Sequence, residues 1–97
     1  MEGIFVIKAV GQPQTIQGKN GENLAKLSIV LTTKECRIGD SGCYAIDQDF
    51  AIDLIGDRAN NFCLPVGTWV VASISSVARE YNGTYFAENR LNRYCKL

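Results

Sequence analysis

The stretch SSVAREYNGTYFAENRLNRYCKL (residues 75–97) predicts a β-hairpin that turns at Asn82-Gly83. Asn-Gly is the strongest short hairpin signal, since both central residues of a type I′ turn need a positive φ. A turn of this length also fixes the strand register, so Arg79 is expected opposite Phe86, with their side chains on one face. The chain is therefore predicted to end in two long antiparallel strands.

The two faces of this predicted hairpin differ in chemistry. The first face is apolar, and we expect it to cover the core: Val70, Ala72, Ile74, Ala78, Ala87 and Leu91, with Tyr85 towards the tip. The second face combines rings with charged groups and is too polar to be buried: Arg79, Tyr81, Phe86, Glu88 and Arg90. Bases stack on aromatic rings and arginine contacts phosphates, so this second face suits single-stranded nucleic acid. Exposed rings also serve cross-strand packing or oligomer contacts, and the pattern alone leaves both interpretations open.

Strand signals precede the hairpin. Residues 3–10 are rich in β-branched and apolar residues, which favours a first strand. Residues 24–33 and 49–56 alternate between apolar and polar side chains, which is typical of half-buried strands. Three strands are therefore expected before the hairpin.

The remaining segments are predicted as connections and one helix. Residues 17–23 form a glycine-punctuated loop, and residues 34–47 form a long connection. Residues 57–67 favour a short helix that Asp57 caps. This order is that of the OB-fold, so the sequence predicts an all-β, five-stranded Greek-key barrel with a short helix between strands 3 and 4. One domain covering residues 1–97 is expected, with a radius of gyration near 13 Å if compact.

The charges are balanced in number but uneven in position. Ten basic and ten acidic residues give a net charge of zero, yet five aspartates and no basic residue lie within 40–57. The remainder therefore carries ten basic and five acidic residues, which allows a local basic surface. No apolar run is long enough for a membrane span and no signal peptide is evident, so a cytoplasmic protein is expected.

No catalytic or metal constellation is visible. The chain has no histidine, no phosphate-cradling glycine motif, and cysteines at 36, 43, 63 and 95 whose spacing fits neither CxxC nor a zinc knuckle. We therefore predict neither an enzyme nor a cofactor or metal. Reduced, partly buried thiols are expected, with a Cys36–Cys43 disulfide or a metal as the alternatives.

The run QDFAIDLIGDRANNFCLPVGTWVVASISSVAREYNGTYF (residues 48–86) resembles the centre of the bacterial single-stranded-DNA-binding protein family. NGENLAKLSIVLTT (residues 20–33) is similar to that family's second strand, and the likeness extends over residues 18–93. REYNGTYF is also similar to a hairpin of small bacterial OB-like proteins, which implies a divergent branch. The resemblance implies a homo-dimer or homo-tetramer that binds single-stranded DNA, in preference to RNA and with little sequence preference, in replication, recombination or repair.

The resemblance carries a DNA-contacting arginine to Arg79 and a stacking aromatic to Tyr81. Together with the hairpin face, the expected nucleic-acid-binding residues are Arg79, Tyr81, Phe86, Arg90, Lys19 and Lys26. The family's outward aromatics on the third strand are replaced by Asp49 and Asp53, unless Phe50 or Tyr44 substitutes for them. The acidic C-terminal tail with which the family recruits partners is not expected. The alternative is a protein-interaction OB module, a replication or mobile-element accessory that does not itself bind nucleic acid.

Overall fold

The structure is a computed structural model that describes residues 1–97, and strands account for most of it. The strands are β1 (Glu2–Val10), β2 (Gln14–Gln17), β3 (Asn23–Thr33), β4 (Glu35–Gly39), β5 (Gly42–Ile46), β6 (Asp49–Ile55), β7 (Trp69–Tyr81) and β8 (Thr84–Lys96), with the helix α1 (Asp57–Asn61) after β6. The predicted order of three strands, a short helix and a hairpin is therefore present, with three short strands added.

One curved antiparallel sheet forms the body of the protein. β1 pairs with β3 and β7, β3 pairs with β6, and β7 pairs with β8. β2 continues the pairing of β1 along β3, since Val10 lies opposite Ile29 and Gln14 opposite Lys26. β6 and β8 come into contact, but no backbone ladder joins them. The barrel is consequently open along one seam, between β6 and β8.

Alternation along the strands places the core on the concave side of the sheet. Twelve apolar residues are buried there: Phe5, Ile7, Leu27, Ile29, Leu31, Phe50, Ile52, Leu54, Val70, Ala72, Ile74 and Leu91. The Phe5 and Phe50 rings meet edge to face, with centroids 5.9 Å apart. The predicted inward and outward sets of β6 are confirmed, because burial alternates strictly along that strand. Phe50 is therefore a core residue, and the expectation that it might offer a stacking surface was wrong.

The predicted long connection at 34–47 is instead a second hairpin. β4 and β5 form a separate two-stranded sheet that turns at Asp40-Ser41. Its root is fastened by the buried Thr33, whose Oγ1 donates to the carbonyl of Ile46 and accepts from the amide of Gln48. Most of its residues are exposed, so it adds little to the core.

The helix and the cysteines also differ from expectation. Asp57 is the first helical residue rather than the cap, and the cap position is Gly56 with a φ of 71°. A positive φ is readily adopted by glycine, which explains why Gly56 stands there. All four cysteines are free and exposed, so the expectation of partly buried thiols was wrong.

Two projecting hairpins make the molecule longer than a compact domain of its length. The radius of gyration is 15.7 Å and the principal extents are 56 × 35 × 19 Å, against about 13 Å expected for a compact chain. A register irregularity between Ser73 and Ile74 marks the point where the β7–β8 hairpin begins to leave the barrel. The only helix is one short turn of chain, and nothing helical here has the length and apolarity to cross a bilayer.

Candidate nucleic-acid interface

The β7–β8 hairpin projects from the barrel as a ribbon, here defined as residues 78–87. Its turn has the predicted geometry, with φ values of 51° at Asn82 and 78° at Gly83. The predicted register is confirmed, including the pair of Arg79 with Phe86. Every residue of the ribbon is exposed. The ribbon therefore offers two surfaces to solvent rather than one.

The outer face of the ribbon carries the aromatic rings and the arginine that the sequence predicts to bind nucleic acid. Tyr81 is 70% exposed and Phe86 is 53% exposed, and the ring of Phe86 lies on the strand opposite Arg79. Arg90 continues the same face towards the barrel, opposite Ser75. The structure thus brings Arg79, Phe86 and Arg90 onto one continuous surface, with Tyr81 at its tip.

The inner face of the ribbon corrects the prediction that it covers the core. Ala78 and Ala87 are exposed, and Tyr85 is 68% exposed, because the barrel ends below them at Ile74 and Leu91. The turn fixes which side chains share a face, but the length of the barrel determines which of them are buried. Tyr85 is accordingly an exposed aromatic residue that the sequence reasoning assigned to the wrong environment.

One carboxylate connects the two arginines of the outer face. Arg79 Nη1 lies 3.3 Å from Glu88 Oε1, and Arg90 Nε lies 3.3 Å from Glu88 Oε2. All three side chains are more than one third exposed. Exposed pairs of this kind are weak, about 0–1 kcal/mol each, so the two guanidinium groups remain available to another anion.

A groove of about 260 Å³ lies beside this cluster along the open seam. Its charged lining residues come from three elements: Asp53 of β6, Arg58 of α1, and Arg79, Glu88 and Arg90 of the hairpin. Arg58 donates to the backbone carbonyl of Asn92 at 3.0 Å, which holds its guanidinium at the groove. Three arginines and two carboxylates therefore surround the groove, leaving an excess of one positive charge.

The two predicted lysines are placed differently. Lys26 lies on β3 with its Nζ 3.7 Å from Asp53 Oδ2, so it reaches the groove through a carboxylate that lines it. Lys19 lies in the turn between β2 and β3. No hydrogen bond, ion pair or shared groove joins Lys19 to the other five residues.

The outer face of β6 is acidic, as the sequence indicated, but its carboxylates are paired. Asp53 accepts a hydrogen bond from Ser28 Oγ at 2.6 Å. Asp49 accepts from Lys8 Nζ at 2.6 Å and from Thr32 Oγ1 at 2.7 Å. The hydrogen bond from Lys8, and then the one from Thr32, lower the pKa of Asp49 below its ordinary value. Asp49 thus faces the Lys8 ammonium at 2.6 Å, and Asp53 faces the Lys26 ammonium at the longer distance of 3.7 Å.

The second hairpin carries a pair that resembles the one on the ribbon. Arg37 of β4 lies opposite Tyr44 of β5, and Tyr44 is 53% exposed. Ile38 on the other face of that hairpin is 87% exposed. The sequence predicts a connection here, although the glycines at 39 and 42, on either side of a two-residue turn, are a hairpin signal.

No group of histidine, cysteine, aspartate or glutamate side chains is arranged to hold a metal ion. No protein-family model matches the sequence, and no curated protein matches it significantly. Solved structures do match. The small single-stranded DNA-binding protein from Streptomyces coelicolor superposes with a TM-score of 0.55 at 10% identity, over 99% of this chain and 91% of that one.

A deletion mutant of the single-stranded DNA binding protein from Thermus aquaticus superposes with a TM-score of 0.58 at 18% identity. That match covers all of this chain and 50% of the other, so this chain spans half the length of that deletion mutant. The chain has an OB-fold like that of bacterial single-stranded DNA-binding proteins. The predicted all-β OB-fold is thus confirmed, with the five OB strands provided by β1, β3, β6, β7 and β8.

Proposed function

We propose that this OB-fold protein binds single-stranded DNA with little sequence preference, through base stacking and backbone contacts. The observation that carries the proposal is the outer face of the ribbon, where exposed rings alternate with guanidinium groups. Tyr81 and Phe86 would each stack a base, which is worth about 1–3 kcal/mol and tolerates any base. Lack of sequence preference follows, because every base has a π-face.

Backbone contacts would come from Arg79 and Arg90 beside the groove, with Lys26 and Lys19 along the path across the barrel. DNA is proposed rather than RNA because both similar structures are described as single-stranded DNA-binding proteins. Replication, recombination or repair are the processes in which such an activity is used, and we propose a role in one of them.

The direct experiment is fluorescence anisotropy with labelled oligo(dT) of about 16 nucleotides, the upper range of a site on one OB-fold. If four cations neutralise about four phosphates, log K should fall with log salt at a slope near −3, given roughly 0.7 per phosphate on single strands. A duplex of equal length is the control and should bind more weakly, because its bases are already stacked. Oligo(rU) tests the preference for DNA. Absence of oligo(dT) binding at low salt contradicts the proposal and favours a protein-interaction module.

We also propose that the protein assembles as a homo-dimer or homo-tetramer. The outer face of β1 and β7 supports this, because Ile4, Val71 and Trp69 are exposed there. Ile4 pairs with Val71, and Trp69 pairs with the half-buried Val6. Trp69 is 48% exposed, and aromatic residues of this kind are enriched in protein interfaces. Light scattering of the wild type and of Trp69→Ser tests the proposal, and a monomeric wild type contradicts it.

A further inference from the structure

Glu88 stands where the two arginines of the outer face converge. Its Oε1 and Oε2 lie 3.3 and 3.4 Å from Arg79 Nη1, and its Oε2 lies 3.3 Å from Arg90 Nε. Neither arginine has another hydrogen-bond partner, and Glu88 has none besides them. The three side chains therefore form a closed set whose only anion is the carboxylate of Glu88.

A carboxylate and a backbone phosphate are interchangeable ligands for guanidinium groups. Both offer oxygen acceptors that arginine binds through charge-assisted hydrogen bonds. Because all three side chains are exposed, the ion pairs with Glu88 are weak and exchange with solvent ions. A phosphate brought there by a stacked base can consequently replace the carboxylate.

The shape of the surface also makes Glu88 an obstacle. Besides the groove of about 260 Å³, a second groove of about 240 Å³ lies on the same seam, lined by Ala51, Asp53, Ala87, Glu88 and Asn89. Asp53 and Glu88 are shared by both grooves, so a strand that passes from one to the other meets these two carboxylates. Asp53 is held by Ser28 and Lys26, whereas Glu88 is held only by the arginines. Glu88 is the carboxylate that can swing away.

We propose that Glu88 occupies, in the free protein, the position that a nucleic-acid phosphate takes between Arg79 and Arg90, and that it limits affinity by competing with that phosphate. This inference rests on the proposed function. If Glu88 instead positioned the arginines for binding, its removal would weaken the complex. The inference predicts the opposite, that its removal strengthens the complex.

The test compares Glu88→Gln with Glu80→Gln in the oligo(dT) assay. Each variant removes one negative charge from the same hairpin, but Glu80 lies opposite Tyr85 on the inner face and makes no ion pair. Glu88→Gln should tighten binding about three- to tenfold at low salt, the size expected from the loss of two weak competing pairs. It should also steepen the salt slope by up to about 0.7, because the loss of Glu88 raises the net positive charge beside the arginines by one. Glu80→Gln should change affinity less than about twofold, since the Glu80 charge is exposed on the opposite face and salt ions screen its effect on the DNA.

A second experiment introduces Arg79→Gln into the wild type and into the Glu88→Gln variant and measures the affinity of each. Arg79→Gln should cost more affinity with Gln at position 88 than in the wild type, because Glu88 no longer neutralises part of its charge. The inference is overturned if Arg79→Gln lowers affinity equally in the two backgrounds. It is also overturned if Glu88→Gln binds oligo(dT) no more tightly than Glu80→Gln. In both cases the proposed function still stands, provided that the wild type binds. Absence of binding by the wild type and both glutamine variants overturns the proposed function, and this inference with it.

Discussion

The barrel face of β3 and β6 and the ribbon at residues 78–87 both carry cations, but their surroundings differ. On the barrel face, Lys26 lies beside Asp53 and Lys8 beside Asp49, one carboxylate for each lysine. On the outer face of the β7–β8 hairpin, two arginines share one glutamate and stand next to exposed rings. The number of basic residues is therefore a poor guide to where an anion binds, because what matters is the charge left after local pairing.

The largest expected effect is on the free energy of unfolding, which should depend much more on the root of the β7–β8 hairpin than on its tip. Leu91 is buried at 2% exposure beside Ile74, so Leu91→Ala should lower the free energy of unfolding by about 2–5 kcal/mol through the lost burial and the cavity. Phe86→Ala, five residues away in sequence, should change it by no more than about 0.5 kcal/mol. Urea denaturation followed by circular dichroism measures both. A large loss of stability in the Phe86 variant would mean that the ribbon is part of the core.

The next effect compares the two faces of the ribbon. Tyr81→Ala should weaken oligo(dT) binding by about 1–3 kcal/mol, or about 5- to 150-fold, because one stacked base is lost. Tyr85→Ala is the matched control, since both tyrosines are about equally exposed, at 70% and 68%, on opposite faces. Affinity measured by anisotropy should be unchanged in that control. Equal losses of affinity in the two variants would mean that the oligo(dT) contacts both faces of the ribbon.

A smaller effect compares arginine on the ribbon with lysine on the barrel. Arg79→Gln should flatten the plot of log K against log salt by about 0.7, because one phosphate is no longer neutralised. Lys8→Gln should change the slope less, since Asp49 opposes the Lys8 charge one to one at 2.6 Å, whereas Glu88 is shared by two arginines. A salt titration of each variant gives the two slopes. Identical changes would show that the pairing of Lys8 with Asp49 does not reduce the contribution of Lys8 to the salt dependence.

The smallest effect concerns the protonation of Asp49. Its pKa is lowered by the hydrogen bonds from Lys8 and Thr32, so Thr32→Val should raise it towards the ordinary value of 3.8. Because the pKa is lower in the folded protein, the stabilising contribution is present at neutral pH and is lost as the pH falls through that lowered pKa. NMR titration of the Asp49 carboxyl carbon measures the shift. An unchanged pKa in the Thr32 variant would assign the effect to Lys8 alone.

The sequence predicted the elements that carry a strong local signal. Alternation in β3 and β6 and the Asn82-Gly83 turn each specified structure through side-chain periodicity or through φ, and all were confirmed. The β4–β5 hairpin was missed because almost none of its residues is buried, so it shows no apolar alternation. Tyr85 was misplaced because register says nothing about how far the barrel extends beneath a strand. The pairing of Lys26 with Asp53 also could not be predicted, since it depends on the lateral contact of β3 with β6.

The irregularity near Ser73 has a consequence for how the protein tolerates change. β8 contains one residue more than β7 at that point, so Arg93 lies opposite Ser73 while Leu91 lies opposite Ile74. The surplus residue is Asn92, whose amide donates to the hydroxyl groups of Ser73 and Ser75. Tyr94 and Leu91 therefore both face the core although they lie three residues apart. Deleting Asn92 would bring Arg93 and Leu91 next to each other opposite Ser73 and Ile74, which would make the ladder regular and keep Leu91 on the core side. What the extra residue supplies is thus the local bend and twist of a bulged strand, and its deletion should straighten the hairpin at its root without exchanging its two faces.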